Sequence, residues 1–155
     1  MLQNRKTVVS KRRDHVKFRH GTPVNAEAVN YNLGRAATLK NSHIVAYVET
    51  IYSVEVRDEF TAVLHLTKPN TAIALTLADR AGMMISPAAA ESLGANFEKK
   101  PVGSGAYLVT WFRTDDRLLL KRNDNYWRKT VPYPGSTTII SLPSEQAPPS
   151  DPTPG

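Results

Sequence analysis

The stretch over residues 101–127, PVGSGAYLVTWFRTDDRLLLKRNDNYW, constrains the fold more than any other part of the chain. Two glycines precede six residues in which side chains alternate between two faces, as they do along a β-strand. This alternation predicts a strand with Tyr107, Val109 and Trp111 on one face.

A second strand is predicted directly after the first. The polar segment 114–116 suits a turn, and the apolar run 118–120 that follows is typical of a strand buried on both sides. Asn and Asp at 123–125 favour a further turn through side-chain to backbone hydrogen bonds. Tyr126 and Trp127 then bring aromatic surface back to the sheet, so the whole stretch is interpreted as a hairpin.

The order of residue types in this hairpin resembles the family 5 extracellular solute-binding proteins, the oligopeptide- and dipeptide-binding subunits of ABC importers. The family signature runs P-V-G-T-G-P-Y, then W, then D-R, then R-N-x-x-Y-W. The chain retains Pro101, Val102, Gly103, Gly105, Tyr107, Trp111, Asp116, Arg117, Arg122, Asn123, Tyr126 and Trp127.

An earlier segment resembles a second signature of the same family. Residues 16–29, VKFRHGTPVNAEAV, follow the pattern V-K-F-H-D-G-T-P-F-x-A-E-D-V, a short strand that turns into a helix. Arg19 and His20 stand where the family has His-Asp, so a carboxylate near the turn is lost. Asn25 is a good N-cap, and the apolar spacing after it predicts a helix over 26–39.

The remaining patterns predict a second hairpin, two more helices and a last strand. The hairpin is expected over 51–56 and 60–66, a short helix after an Asn70 or Thr71 cap, a helix over 88–93 between Ser86-Pro87 and Gly94, and a strand over 137–142.

The resemblance covers residues 16–142 and implies an α/β fold, a mixed sheet with flanking helices. It corresponds to part of the first lobe of a class II periplasmic-binding-protein fold. We therefore expect a partial domain over 16–142, truncated at both ends. Residues 1–15 are predicted to be a poorly ordered basic arm or a strand that needs a partner. The Pro- and Ser-rich residues 143–155 are predicted to be disordered.

The resemblance implies that the protein captures a peptide or similar small solute for an ABC permease and performs no chemistry. It implies a periplasmic or cell-surface monomer, although the N-terminal apolar stretch is too short for a signal peptide. Four residues are candidate ligand contacts. Tyr31 lies opposite the apolar stripe of its helix, where the family has an aromatic near the ligand. Ser104, Tyr107 and Trp111 belong to the glycine-rich loop and the aromatic strand.

Composition argues against several other kinds of site. The chain has no cysteine, which excludes disulfides, thiol catalysis and Cys-based zinc sites. His15, His20, His43 and His65 show no metal-ligand spacing, so we expect no metal, no cofactor and no enzymatic activity. No apolar run approaches the roughly 20 residues that span a bilayer.

Two other interpretations remain open. The formal net charge is +6, but the densest basic cluster, Lys11-Arg12-Arg13, is short, so we expect no nucleic-acid partner. A small basic protein that binds nucleic acid or anions is one alternative, and its affinity would collapse with salt. A truncated fragment that binds nothing is the other, because the ligand contacts of a second lobe have no counterpart here.

Overall fold

A computed structural model describes Leu2, Gln3 and residues 6–39 and 43–141. The strands are β1 (Leu2–Gln3), β2 (Thr7–Lys11), β3 (Ile51–Asp58), β4 (Thr61–Leu66), β5 (Tyr107–Phe112), β6 (Arg117–Arg122) and β7 (Ser136–Ile140). The helices are α1 (Ala26–Thr38), α2 (Val45–Val48), α3 (Ile73–Thr76) and α4 (Pro87–Leu93), with 3₁₀-helices at Arg80–Gly82 and Gly94–Lys99. The predicted α/β fold is confirmed; the tail predicted over 143–155 lies outside the described residues.

Four strands form the first sheet in the order β1-β2-β4-β3, and every neighbouring pair is antiparallel. The hairpin predicted from residues 51–66 is present as β3 and β4. Helix α1 packs its apolar stripe, Val29 and Leu33 among it, against Ala62 and Leu64 of the central strand β4. Each large apolar side chain buried this way contributes about 1.5–3 kcal/mol, so this helix-on-sheet layer is the main core.

The N-terminal segment differs from the predicted poorly ordered arm over 1–15. Residues Thr7–Lys11 form β2, which pairs with β4 from Thr7 opposite His65 to Lys11 opposite Thr61. The segment has no sustained hydrophobic period of its own, and its order comes from backbone hydrogen bonds with β4, whose residues lie 50 to 58 positions later in the chain. Of the two interpretations of this segment, the strand that needs a partner describes Thr7–Lys11, and the local sequence did not identify that partner.

Strands β5, β6 and β7 form a second antiparallel sheet in that order. A register shift interrupts β5, because Val109 pairs with Leu120 while Trp111 pairs with the next residue, Leu119. Leu119 and Leu120 are adjacent in β6 and point to opposite faces, so their partners Trp111 and Val109 also lie on opposite faces of the sheet. The prediction that they share a face is wrong. Thr110 is the extra residue, and its Oγ1 donates to the Leu119 carbonyl at 3.1 Å.

The leucine run of β6 is half-buried, not buried on both sides as predicted. Leu118 pairs with Phe112 on one side and with Ile139 on the other. Phe112 is 49% exposed and Ile139 is 52% exposed, so the three side chains form an apolar row that is open to solvent. We call it the Phe112 row.

The predicted starts of α1 and α4 are confirmed, because each depends on a local capping signal. The cap predicted at Asn70 or Thr71 is not found, since α3 begins at Ile73 after Ala72, which makes no side-chain capping bond. The Asn25 Oδ1 accepts a hydrogen bond from the Ala28 amide at 3.0 Å. The Ser86 Oγ likewise accepts from the Ala89 amide at 3.2 Å, at the start of α4. Helix α4 ends before Gly94, whose φ of 51° favours glycine. No helix in the described part of the chain is both long and apolar enough to cross a bilayer.

The turn between β3 and β4 gives a pH prediction. Asp58 accepts hydrogen bonds from the Thr61 side chain and from the Phe60 amide, the latter at 3.0 Å, and these bonds lower the pKa of its carboxyl group. Because the pKa is lower in the folded state, the ionised carboxylate stabilises the folded protein at pH values above the unfolded-state pKa of about 3.9. This stabilisation is lost as the pH falls through the folded-state pKa. We expect Asp58→Asn to destabilise the protein at pH 6 and to have a smaller effect at pH 3, measured by urea unfolding. An effect equal at both pH values would contradict this.

Candidate functional site

A cavity of about 720 Å³ lies where the segment after Phe18, the end of α4 and strand β5 meet. We call it the Trp111 cavity. The side chains that give it its chemistry are Arg19, His20, Lys99, Lys100, Trp111 and Phe112. None of the residues that line it is acidic, so the cavity combines a positive potential with aromatic surface. That combination suits a small solute that carries a carboxylate and an apolar part.

The position of His20 in this cavity is fixed by two hydroxyl groups. Its Nε2 lies 2.6 Å from the Ser86 Oγ, and its Nδ1 lies 3.2 Å from the Thr22 Oγ1. Ser86 is fully buried and already caps α4, so its hydroxyl is not exposed to a substrate. The arrangement is structural. His20, which replaces the aspartate of the family signature, links the turn before α1 to the start of α4.

The glycine-rich loop is held between the same two elements. The Ser86 amide donates to the Val102 carbonyl at 2.9 Å, and the Arg19 amide donates to the Gly103 carbonyl at 3.0 Å. Ile85 also forms a bridge with Gly103. The loop therefore connects the first sheet and its helices to the second sheet, and Val102 of this loop lines the Trp111 cavity.

Ser104 lines a different cavity, of about 590 Å³, together with Lys11, Arg12, Arg13 and Trp127. We call this the Arg12 cavity. Strand β2 and the end of the RN-x-x-YW segment meet here. The Arg13 guanidinium lies 4.4 Å from the centroid of the Trp127 ring, within the range of a cation–π interaction.

The four predicted ligand contacts are not gathered in one place. Trp111, 40% exposed, lines the Trp111 cavity and Ser104 lines the Arg12 cavity. Tyr31 is half-buried and packs against the cluster that contains Ala89, Ala90 and Phe97. The hydroxyl of Tyr107 donates to the Pro134 carbonyl at 3.3 Å. Tyr31 and Tyr107 line neither cavity.

Sequence reasoning missed Asn32, a buried amide in α1. Its Nδ2 donates to the Ile85 carbonyl at 2.9 Å, and its Oδ1 accepts from the Ile85 amide at 3.0 Å. Nδ2 also donates to the Ala28 carbonyl at 2.8 Å. Asn32 thus fixes the segment that leads into α4 and the Trp111 cavity. The one signal in the sequence is a polar residue next to the apolar stripe of α1.

Metal binding has no support among the described residues, where no group of three or more His, Asp or Glu side chains could hold an ion.

The ion pairs are short-range surface pairs, such as Arg117 with Asp116 at 2.9 Å and Arg122 with Asp124 at 3.1 Å. Pairs of this kind contribute at most about 1 kcal/mol each. The charge of the Trp111 cavity therefore comes from its own lining residues.

Comparison with known sequences identifies relatives over almost the whole chain. The model of the bacterial extracellular solute-binding proteins, family 5 Middle, matches residues 2–148. The glutathione-binding protein GsiB of Escherichia coli O1:K1 is 38% identical over 135 residues. That alignment covers 85% of this chain and 26% of GsiB, so the chain spans about a quarter of the length of this curated relative.

Solved structures show the same fold. The solute-binding protein MoaA from A. tumefacien R10, in complex with mannopinic acid, superposes with a TM-score of 0.82 at 26% identity, covering 90% of this chain and 28% of MoaA. AgaA from the same source, in complex with agropinic acid, has a TM-score of 0.82 at 23% identity, covering 90% of this chain and 29% of AgaA. This chain belongs to the family 5 bacterial extracellular solute-binding proteins.

Proposed function

We propose that this chain contributes to solute capture for an ABC importer, with a peptide or a similar small solute as ligand. The observation that carries the proposal is the family match over residues 2–148. Its relative GsiB is named for glutathione binding, and a solved relative is bound to peptide. On this proposal the protein works outside the cytoplasmic membrane, presents its ligand to a permease and performs no chemistry.

The Trp111 cavity is the proposed place of solute contact. Lys99, Lys100 and Arg19 would attract a carboxylate, and Trp111 and Phe112 offer aromatic surface for the apolar part of the solute. Its volume of about 720 Å³ falls within the range of small-molecule sites, roughly 300–1,000 Å³.

The other predicted contacts take different roles in this proposal. Tyr31 packs on the cluster that includes Phe97, two residues before Lys99, so in this proposal it supports the segment that carries the two lysines. Tyr107 holds the entry to β5 through its bond to the Pro134 carbonyl. Ser104 belongs to the separate Arg12 cavity.

Thermal unfolding followed by far-UV circular dichroism tests this proposal. A mixture of di- and tripeptides at about 100 times the dissociation constant should stabilise the protein by about 2.7 kcal/mol. For a chain of this size that corresponds to a rise in Tm of roughly 5–10 °C. We expect Trp111→Ala to abolish most of the rise, because it removes the largest aromatic surface of the cavity.

Tyr133→Ala is the matched control. Tyr133 is an aromatic residue that is 83% exposed and does not line the Trp111 cavity, so this variant should retain the full rise. If peptide does not change the Tm of the unmodified chain, that result would count against solute capture by this chain alone. An equal loss in both variants would remove Trp111 from the site.

A further inference from the structure

Arg12 lies in an unusual place for an arginine. Val8 and Ser10 lie on one face of β2, and Val8 on that face packs against the main core. Arg12 follows the last residue of β2 and continues the alternation on that face, because its amide donates to the Phe60 carbonyl at 2.7 Å. The Arg12 Nη2 donates to the Ser10 hydroxyl. Burial, followed by the neighbouring charge of Arg13, lowers the pKa of Arg12. The guanidinium therefore sits at the edge of an apolar layer.

The charge of Arg12 has no compensating partner among the described residues. Its Nε is buried and has no hydrogen-bond partner there. None of the ion pairs formed within residues 6–39 and 43–141 includes Arg12. A buried donor without an acceptor is uncommon in folded proteins, and a guanidinium fits a carboxylate with two parallel hydrogen bonds. The side chain thus has the properties of one half of an anion site.

The Arg12 cavity supplies room and further cations. Lys11 and Arg13 line it beside Arg12, the Ser104 hydroxyl offers another donor, and no lining residue is acidic. Arg13 is held against Trp127, which positions its charge at the cavity. Three cations around one space of about 590 Å³ favour an anion there.

An apolar groove continues from this charged space. The groove, of about 360 Å³, shares Lys11, Arg12, Gly82 and Met84 with the Arg12 cavity. Beyond these residues it runs between the first sheet and the segment 74–78, where Leu33, Leu64 and Leu77 are among its walls. The two spaces together form a pocket that is charged at one end and apolar at the other.

We propose that this pocket is a second ligand site, which binds a small monocarboxylate with a short apolar chain. The carboxylate pairs with Arg12 and Arg13, and the chain lies in the apolar groove. The site is separate from the Trp111 cavity and does not depend on the proposed role in solute capture. Two sources share this chemistry: an aliphatic carboxylic acid and the C-terminus of a short hydrophobic peptide.

Isothermal titration with hexanoate and with leucyl-leucine distinguishes the two sources, and hexan-1-ol and leucyl-leucine amide are the matched neutral probes. We expect at least one acid to bind and its neutral partner to bind at least tenfold more weakly, since hydrogen bonds to charged groups are the strong ones. Binding of hexanoate alone identifies an aliphatic acid. Binding of leucyl-leucine alone identifies a peptide C-terminus at this site when Arg12→Gln weakens it, because the Trp111 cavity is itself proposed to take peptides. Equal binding of the acid and its neutral partner, or binding of neither acid, overturns the proposal.

Variants locate the site. Arg12→Gln should weaken binding of the acid by about ten- to a hundredfold. Arg113→Gln, at an exposed arginine in the β5–β6 turn, should leave binding unchanged, and so should Tyr133→Ala, at an exposed tyrosine that lines neither cavity. Unchanged binding in Arg12→Gln, or an equal loss in Arg113→Gln, would place the acid elsewhere.

If Arg12→Gln does not fold, two further variants test whether the acid binds in this pocket. Arg13→Gln changes an exposed side chain and should weaken binding of the acid about tenfold. Ala78→Phe adds a ring at an exposed residue that lines the groove, and should abolish binding while leaving the cations in place. Full binding in both folded variants refutes the site.

Discussion

Asn32→Leu is expected to lower the free energy of unfolding by about 3–5 kcal/mol. The amide of Asn32 satisfies both the N–H and the carbonyl of Ile85, and the asparagine is only 9% exposed. A leucine fills similar space but leaves both backbone groups without these partners, and each unsatisfied buried group costs about 1–3 kcal/mol. Chemical denaturation followed by circular dichroism measures the change.

Asn30→Leu is the matched control for this change. Asn30 lies in the same helix and is exposed, so the substitution should alter the free energy of unfolding by no more than about 0.5 kcal/mol. If the two variants were equally stable, the bonds between Asn32 and Ile85 would not hold α1 to the segment before α4. That result would also remove the main support for the shape of the Trp111 cavity.

Gly82→Ala is expected to destabilise the protein by about 3 kcal/mol or more. A Cβ added to Gly82 would lie 1.8 Å from the carbonyl oxygen of Leu77, so the backbone would have to move. Gly82 is the last residue of the 3₁₀-helix Arg80–Gly82, which folds back against the end of α3 after a tight turn. Because Gly82 lines both the apolar groove and the Arg12 cavity, the same variant should also distort that pocket.

Gly34→Ala is a control for which we expect the opposite change in stability. Gly34 lies inside α1, is exposed, and an added Cβ would meet no atom within 4 Å. Alanine is favoured over glycine in a helix interior by about 1 kcal/mol, so this variant should be more stable than the unmodified chain. Denaturation curves of the two variants should therefore move in opposite directions. A stable Gly82→Ala protein would show that the turn is not as close as described.

The sequence predicted what depends on neighbouring residues. The cap at Asn25, the Ser86-Pro87 start of α4 and its end at Gly94 each involve groups within a few positions, and the structure confirms all three. Alternation also located both hairpins. The family signature around Trp111 and Trp127 was as informative, because its residue types occur in a particular order.

Features that depend on distant residues could not be predicted in this way. Strand β2 exists because β4 pairs with it, and nothing within Thr7–Lys11 indicates that partner. The role of Asn32 depends on Ile85, and the cavity beside Arg12 is completed by Met84, Ser104 and Trp127 from much later in the chain. The four candidate contacts were chosen by residue type and by analogy, whereas their neighbours are set by tertiary packing.

The extra residue in β5 means that the pairing register, more than residue identity, decides which face each aromatic side chain of this strand occupies. Because Thr110 is accommodated as a bulge, Trp111 pairs with Leu119 and lies on the face opposite to Val109. Deleting Thr110 would leave both pairs as they are, so the strand would lose its bulge while Trp111 and Phe112 kept their faces. A slip of the pairing by one residue after Val109 would instead place Trp111 opposite Leu118, on the face of Val109, so the bulge acts as a lock on the orientation of the two aromatic rings.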